Sequence, residues 1–429
     1  MPLHQVVQSF KGDAFGLFSH LKDQPQSFFL DSSLQRASSS FSYMGFTPVD
    51  VVDNLESLKK IFYKHQLKSK LAFPCGAVGY LGYDGSVHFG IYDTVIAVDH
   101  RQKKLIVTSL SKQRLEQCIS AARSGAPSLG DLGTGRARGN SNPEPLADRV
   151  QISSNFTKDQ YLQAVRRALE HIRRGDIYQI NLSHQIKLGL KHWQKYSTAL
   201  EIYNNLRQLF PSEFGAYIDD GKQVILSASP ERFLRLSDRV AQVKPMKGTR
   251  PRGSNSKQDQ RLKQELLKSP KEIAELLMVT DLERNDLGRV CDYRSIKVKA
   301  LRSIETYSTV FQATSTIEGK LRQDCDSFDL LKATFPSGSV TGCPKIEAMK
   351  IIQQLEHGSR GLYTGALGYL SFNGNLDFNV MIRTMFLKKN QISFHVGGGI
   401  VADSKPQEEW DETWIKAKPL IETLKRSFV

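Results

Sequence analysis

The stretch TKDQYLQAVRRALEHIRRGDIYQINLSHQIKL, residues 157–188, changes its periodicity once, and that change decides the class of fold. Thr157 and Gln160 match a capping box, Tyr161, Val165, Leu169 and Ile172 recur at helical spacing, and Gly175 reads as a stop. From Ile177 to Leu188 the period becomes two. Tyr178, Ile180, Leu182, Ile186 and Leu188 share one face, and Gln179, Asn181, Ser183 and Gln185 share the other. This predicts a strand packed through one face, with the amides and hydroxyls either solvated or lining a polar cleft. Two helix starts lie further on. Ser269-Pro270-Lys271-Glu272 offers an N-cap Ser, a first-turn Pro and a capping-box Glu, and Ser404-Lys405-Pro406-Gln407 repeats the style. Between them, Leu362–Phe372 and Ile392–Val401 alternate like strands with tight turns. Helices and strands mixed without a regular βα period give an α+β class.

The 429 residues, 40% hydrophobic and 24% charged, suffice for a large core or two domains and exclude a disordered, collagenous or disulfide-stapled chain. A formal charge of +15 attracts anions without choosing among nucleic acid, lipid and small polycarboxylates. The five cysteines (Cys75, Cys118, Cys291, Cys325 and Cys343) are scattered and form no C-x-x-C, which points to a reducing compartment. The N-terminus lacks the basic and apolar regions of a signal peptide, and Leu71–Tyr83 is too short and too rich in Gly and Pro to span a bilayer. The expectation is a cytoplasmic protein without a membrane partner.

Ser124–Pro145 is crowded with Gly, Ser, Pro and Asn, and its Gly133–Gly139 run does not fit G-x-G-x-x-G. We expect an N-terminal portion over residues 1–123, a linker over 124–150 and a catalytic domain over 151–429.

Three groups of residues carry chemistry. Glu272 with Glu275, and Glu409 with Glu412, are E-x-x-E pairs that put two carboxylates on one helix face. Such pairs either complement the helix dipole or serve Mg²⁺, which takes a few carboxylates and completes its shell with water and substrate oxygens. Second, Ser229-Pro230-Glu231-Arg232-Phe233 is followed by Lys247, which Lys244, Arg250 and Arg252 crowd in sequence. A Glu and a Lys on adjacent short strands can act as general acid and nucleophile, provided that the amine is neutral. The alternative is an anion patch, since residues 244–271 hold nine basic and two acidic residues. No interleaved aromatic or nucleic-acid-binding signature accompanies them, so no nucleic-acid partner is expected. Third, Gly397-Gly398-Gly399 either makes a turn or lets backbone N–H groups reach an anion.

Taken in order, these segments resemble the chorismate-utilising enzymes: anthranilate synthase component I, aminodeoxychorismate synthase component I, and the isochorismate and salicylate synthases. The resemblance runs through residues 177–183, 229–233, 245–252, 277–288, 335–345, 365–370, 382–384 and 397–413, with weaker agreement at Phe41–Pro48. It implies two large antiparallel sheets packed as a sandwich with flanking helices. It implies Glu275 and Glu412 as principal Mg²⁺ ligands, with Glu272 and Glu409 reaching the ion directly or through water. Thr249, Tyr369, Arg383, Lys416 and the Gly397–Gly399 backbone would hold substrate carboxylates, and Glu231 would be the general acid. Members that add water at C2 resemble one another in a Lys where this chain has Gln179, and glutamine cannot take a proton from water. Lys247, in Pro-Met-Lys-Gly-Thr, is similar to the aminodeoxychorismate synthases, whereas anthranilate synthases typically have Ala. No glutaminase signature is visible, so ammonia would come from solution or from a separate class I glutamine amidotransferase subunit.

Overall fold

A computed structural model describes residues 2–35, 40–124, 152–189, 195–307 and 310–427. The linker expected at 124–150 therefore falls, apart from Ser124, outside the described residues.

The helix begins at its capping box. Gln160 N donates to Thr157 Oγ1, Thr157 N donates to Gln160 Oε1, and the helix runs Lys158–Arg173. The following strand is Gln179–Gly189, and both of its faces are buried as far as His184. Tyr178, expected on the core face, instead lies before the strand and is 67% exposed. The polar face is not solvated. Ser183 N and Oγ both donate to Glu356, and Gln179 is 2% exposed.

Among the described residues the strands form two sheets, one of twelve and one of ten, and every pairing is antiparallel. The larger has at its centre Phe28–Asp31, Phe214–Asp219, Val224–Ser229, Thr384–Lys388, Gln391–Ile400 and Gln179–Gly189, in that order. The smaller runs from Met246–Pro251 through Val310–Lys320, Val240–Val243, Arg232–Ser237, Leu376–Val380 and Ala366–Ser371 to Gly76–Leu81. Strands from before and after the expected linker pair directly, Phe28–Asp31 with Phe214–Asp219 and Gly76–Leu81 with Ala366–Ser371.

The sandwich core lies between the sheets. Phe28, Ile225 and Phe386 from the larger sheet meet Val78, Leu367 and Tyr369 from the smaller. The outer face of the larger sheet is covered by the helix Pro406–Ser427, through Ala417, Leu420 and Leu424, and the outer face of the smaller by Ser327–Thr334. This is the expected α+β fold, two large antiparallel sheets packed as a sandwich with flanking helices.

Candidate active site

Lys247 lies on the edge strand Met246–Pro251, where the register slips between Lys247 and Thr249. Gly248 makes the slip possible. Its φ of +78° is left-handed, and a Cβ there would meet Glu272 Cγ at 2.7 Å. The half-buried Lys247 side chain crosses to the other sheet. Its Nζ lies 3.3 Å, and Gln179 Nε2 2.7 Å, from the point where Gly399 would carry a Cβ. Burial holds the Lys247 pKa below its ordinary value, with Glu275 and Glu231 opposing and Lys416 reinforcing the shift. The basic neighbours do not crowd this amine, contrary to the sequence expectation. Lys244 pairs with Glu305, Arg250 with Glu272 at 2.7 Å, and Arg252 with Asp259. Each has its own carboxylate, so depression of the pKa falls to desolvation and to a lysine from a distant helix.

Glu231 follows the strand Val224–Ser229 and is 4% exposed. Its backbone is pinned at both groups: its N–H donates to Ser229 Oγ at 3.3 Å, and its carbonyl accepts from Val380 N at 3.1 Å. Ser339 Oγ lies 2.6 Å from Oε1. Burial pushes the carboxyl up to about 7, against the Ser339 bond and the Lys247 charge and with help from Glu283. A buried carboxyl protonated near neutrality has the properties of a general acid.

Of the two E-x-x-E helices, the one carrying Glu409 and Glu412 meets the glycine run. Ser269 makes no side-chain cap, so the expected capping box does not form; Glu272 turns to Arg250 instead. Ser404 is spent on Glu409, donating to its Oε1 at 2.6 Å. A Cβ on Gly398 would lie 3.2 Å from Glu409 Oε2, 3.8 Å from Glu412 Oε1 and 3.8 Å from Lys416 Nζ. Burial raises Glu275, with the charges of Glu272 and Glu412 adding, and raises Glu409, with Glu412 adding. Burial raises Glu412, but Lys416, Lys271 and Lys247 together outweigh it and lower the group overall. The donor set suits a hard divalent cation: four coupled carboxylates, with buried Glu272 Oε2 and Glu409 Oε2 lacking any partner. Among the described residues no three such side chains already converge as a metal cage. Arg250 and Lys416 hold Glu272 and Glu412 as counter-cations instead.

Gly397–Gly399 is strand rather than turn, paired with Ser183, Leu182 and Asn181. The neighbouring strand Thr384–Lys388 meets the glycine strand only at Gln391–Ser393, so the glycine edge carries no ladder on that side among the described residues. Lys416 Nζ donates to Gly397 O at 2.8 Å. Arg383, with a strained φ of +50°, has no carboxylate partner among the described residues, and burial pulls its pKa down. Such a guanidinium invites an anion. Thr249 is exposed beyond the bulge.

Tyr369 is not part of this group. Its ring stacks on Phe73 at 4.4 Å and meets Tyr43 at 5.6 Å, beside a separate cleft of about 230 Å³ lined by Asp31, Tyr43, Arg232, Arg235 and Asp377. The alternation of Ala366–Ser371 turns it into the sandwich core. Sequence reasoning missed Ser339, Ser337 and Glu283. All three lie within matched segments, but a serine in a Gly-Ser-Val run carries no chemical signal until a carboxyl is seen against it.

A model of the chorismate binding enzyme family matches residues 45–422. The chain belongs to the chorismate-binding enzyme family. Two relatives differ in the reaction that they are named for. The anthranilate synthase component I-like protein of Synechocystis is 42% identical over 66% of this chain, which spans 58% of that protein's length. Aminodeoxychorismate synthase component 1 of Bacillus subtilis is 33% identical over 80% of this chain and 76% of its own. Anthranilate synthase component I from Streptococcus pneumoniae superposes with a TM-score of 0.76 at 28% identity, covering 90% of this chain and 93% of its own. The chain spans less than two thirds of the length of the Synechocystis relative, and its antiparallel sandwich is shared with the solved Streptococcus pneumoniae structure.

Proposed function

We propose that this chain is the large subunit of an aminodeoxychorismate synthase, converting chorismate and ammonia to 4-amino-4-deoxychorismate. The observation that carries this reading is the desolvated Lys247 amine, set against Gly399 and Gln179 and coupled to the Glu231 carboxyl. The neutral amine adds at C2, both ring double bonds shift towards C4, and the C4 hydroxyl leaves as water with the proton of Glu231. Ammonia then adds at C4, both double bonds shift back, and the C2–nitrogen bond breaks to release Lys247. Two allylic displacements replace one direct substitution.

Arg383, Lys416 and the open glycine edge orient the substrate carboxylates, and Thr249 borders them. Gln179 stands where a hydrating enzyme needs a base and cannot deprotonate water, so hydration at C2 is disfavoured. Glu275 and Glu412, assisted by Glu272 and Glu409, would hold Mg²⁺, and the ion would supply a Lewis acid for a substrate carboxylate. Ammonia comes from a separate class I glutamine amidotransferase subunit.

The competing reading is anthranilate synthase component I, favoured by the names of the relatives at 41–42% identity. Mass analysis of products from chorismate, ammonium and Mg²⁺ separates the two. A product retaining the enolpyruvyl group supports the proposal; pyruvate release with a fluorescent aromatic amine overturns it.

A further inference from the structure

The hydrogen bonds behind Glu231 lead to a second buried carboxyl. Ser339 Oγ lies 2.6 Å from Glu231 Oε1, Ser337 Oγ lies 3.0 Å from Ser339 Oγ, and Glu283 Oε1 lies 3.1 Å from Ser337 Oγ. All four side chains are buried, at 4% exposure for Glu231, 4% for Ser339, 5% for Ser337 and 1% for Glu283. The links number three, and each hydroxyl has one hydrogen to donate. With both carboxyls ionised, one link lacks a hydrogen, and two negative charges face each other in a dry interior. One added proton completes all three links in a single direction, from Glu231 through Ser339 and Ser337 to Glu283.

We propose that Glu231 and Glu283 hold one proton in common through Ser339 and Ser337, which makes Glu283 the positioning residue that keeps the general acid protonated. The inference rests on the reading of Glu231 given above.

The surroundings decide where the proton resides. Glu283 Oε1 also accepts the Gly338 N–H at 2.8 Å, which is approachable because residue 338 has no Cβ to meet Leu282 Cδ2 at 2.5 Å. On the Glu283 side Lys345 faces the carboxylate, itself held by Asp286 and by the Thr334 and Pro336 carbonyls. Asp286 opposes Lys345 there; on the Glu231 side the facing charges are Lys247 and Glu283 itself. Each carboxyl accepts one serine hydroxyl and one backbone donor, Met246 on the Glu231 side and Gly338 on the Glu283 side, so neither end is cut off from the chain. Burial raises Glu231 to about 7 and Glu283 to about 6, which leaves Glu283 the more anionic end. Glu231 gives its proton to the departing hydroxyl and regains one from the ammonium formed at C4, which restores the three-link chain.

Infrared titration of the substrate-free, metal-free full chain tests this. The carboxylic acid C=O stretch is assigned to Glu231 by its loss in E231Q. In E283Q, which removes the charge but keeps the shape, the midpoint of that band falls by about 1 pH unit. S337A keeps both charges and cuts the bridge, and it shifts the midpoint in the same direction. The alkaline limb of chorismate consumption, measured whatever the product, moves with it. An unchanged midpoint in the folded variants overturns the proposal. Because the titration needs no substrate, a product other than aminodeoxychorismate would sink the functional reading and leave this one standing.

Discussion

The ε-amine of Lys247 lies 3.3 Å from the point at which residue 399 would carry a Cβ, and Gln179 Nε2 lies 2.7 Å from the same point. The two sheets therefore touch, at this site, through an amine on one and a missing side chain on the other. G399A is expected to keep the fold and to lower kcat by about two orders of magnitude, since a displacement near 1 Å at a reacting group has that effect. Steady-state kinetics with circular dichroism checks this, and kcat within twofold of the parent would show that the gap is not needed.

Lys247→Ala should abolish turnover, by at least about 10³-fold, and Lys247→Arg should not restore it, because a guanidinium stays charged and cannot act as the nucleophile. Intact-protein mass spectra recorded with chorismate but no ammonia should show an adduct on the parent chain and none on the variants.

Glu231 carries a stability penalty that can be read from its titration. Its folded pKa is raised from 4.5 to about 7, so the native state keeps a proton that the unfolded state has lost between those values. Stability consequently falls as pH rises from about 4.5 through about 7, by up to about 3 kcal/mol. E231Q removes this dependence. Its urea midpoint should exceed the parent's at pH 8 and match it more nearly at pH 5, and the reverse order would contradict the assignment.

If the four helix carboxylates gather Mg²⁺, the ion stabilises the native state by mass action. Added MgCl₂ should raise the Tm of the parent, less so for E275Q or E412Q, and not at all for the double variant. A full shift in the double variant would move the ion elsewhere.

The pair Glu356–Arg360, at 2.8 Å and almost fully buried, ties the Gln179–Gly189 strand to the site's support. Glu356 accepts Ser183 N at 2.7 Å, while Arg360 donates to Asn181 O and Val340 O. E356A leaves a buried guanidinium uncompensated and should cost about 3–5 kcal/mol, seen as a lower urea midpoint. A change under about 1 kcal/mol would mean that the guanidinium finds solvent.

Residues 157–188 were legible alone because a capping box and a switch of period are local events; Thr157, Gln160 and the strand core at Ile180 and Leu182 stand where their spacing put them. The α+β class and the order of the matched segments likewise follow from the chain itself. Local patterns failed where a tertiary partner outbid a local one. Glu272 left its cap for Arg250, Ser404 served Glu409, and Tyr369 packed on Phe73. Lys247 and Glu231 could be named from their motifs, but not the cause of their shifted titration. That cause is desolvation between two sheets and the field of residues as distant as Lys416 and Glu283. Spacing along a chain records which residues share a face. Only packing removes water from around them and sets one charge against another, and both of these decide whether an amine is a nucleophile and a carboxyl an acid.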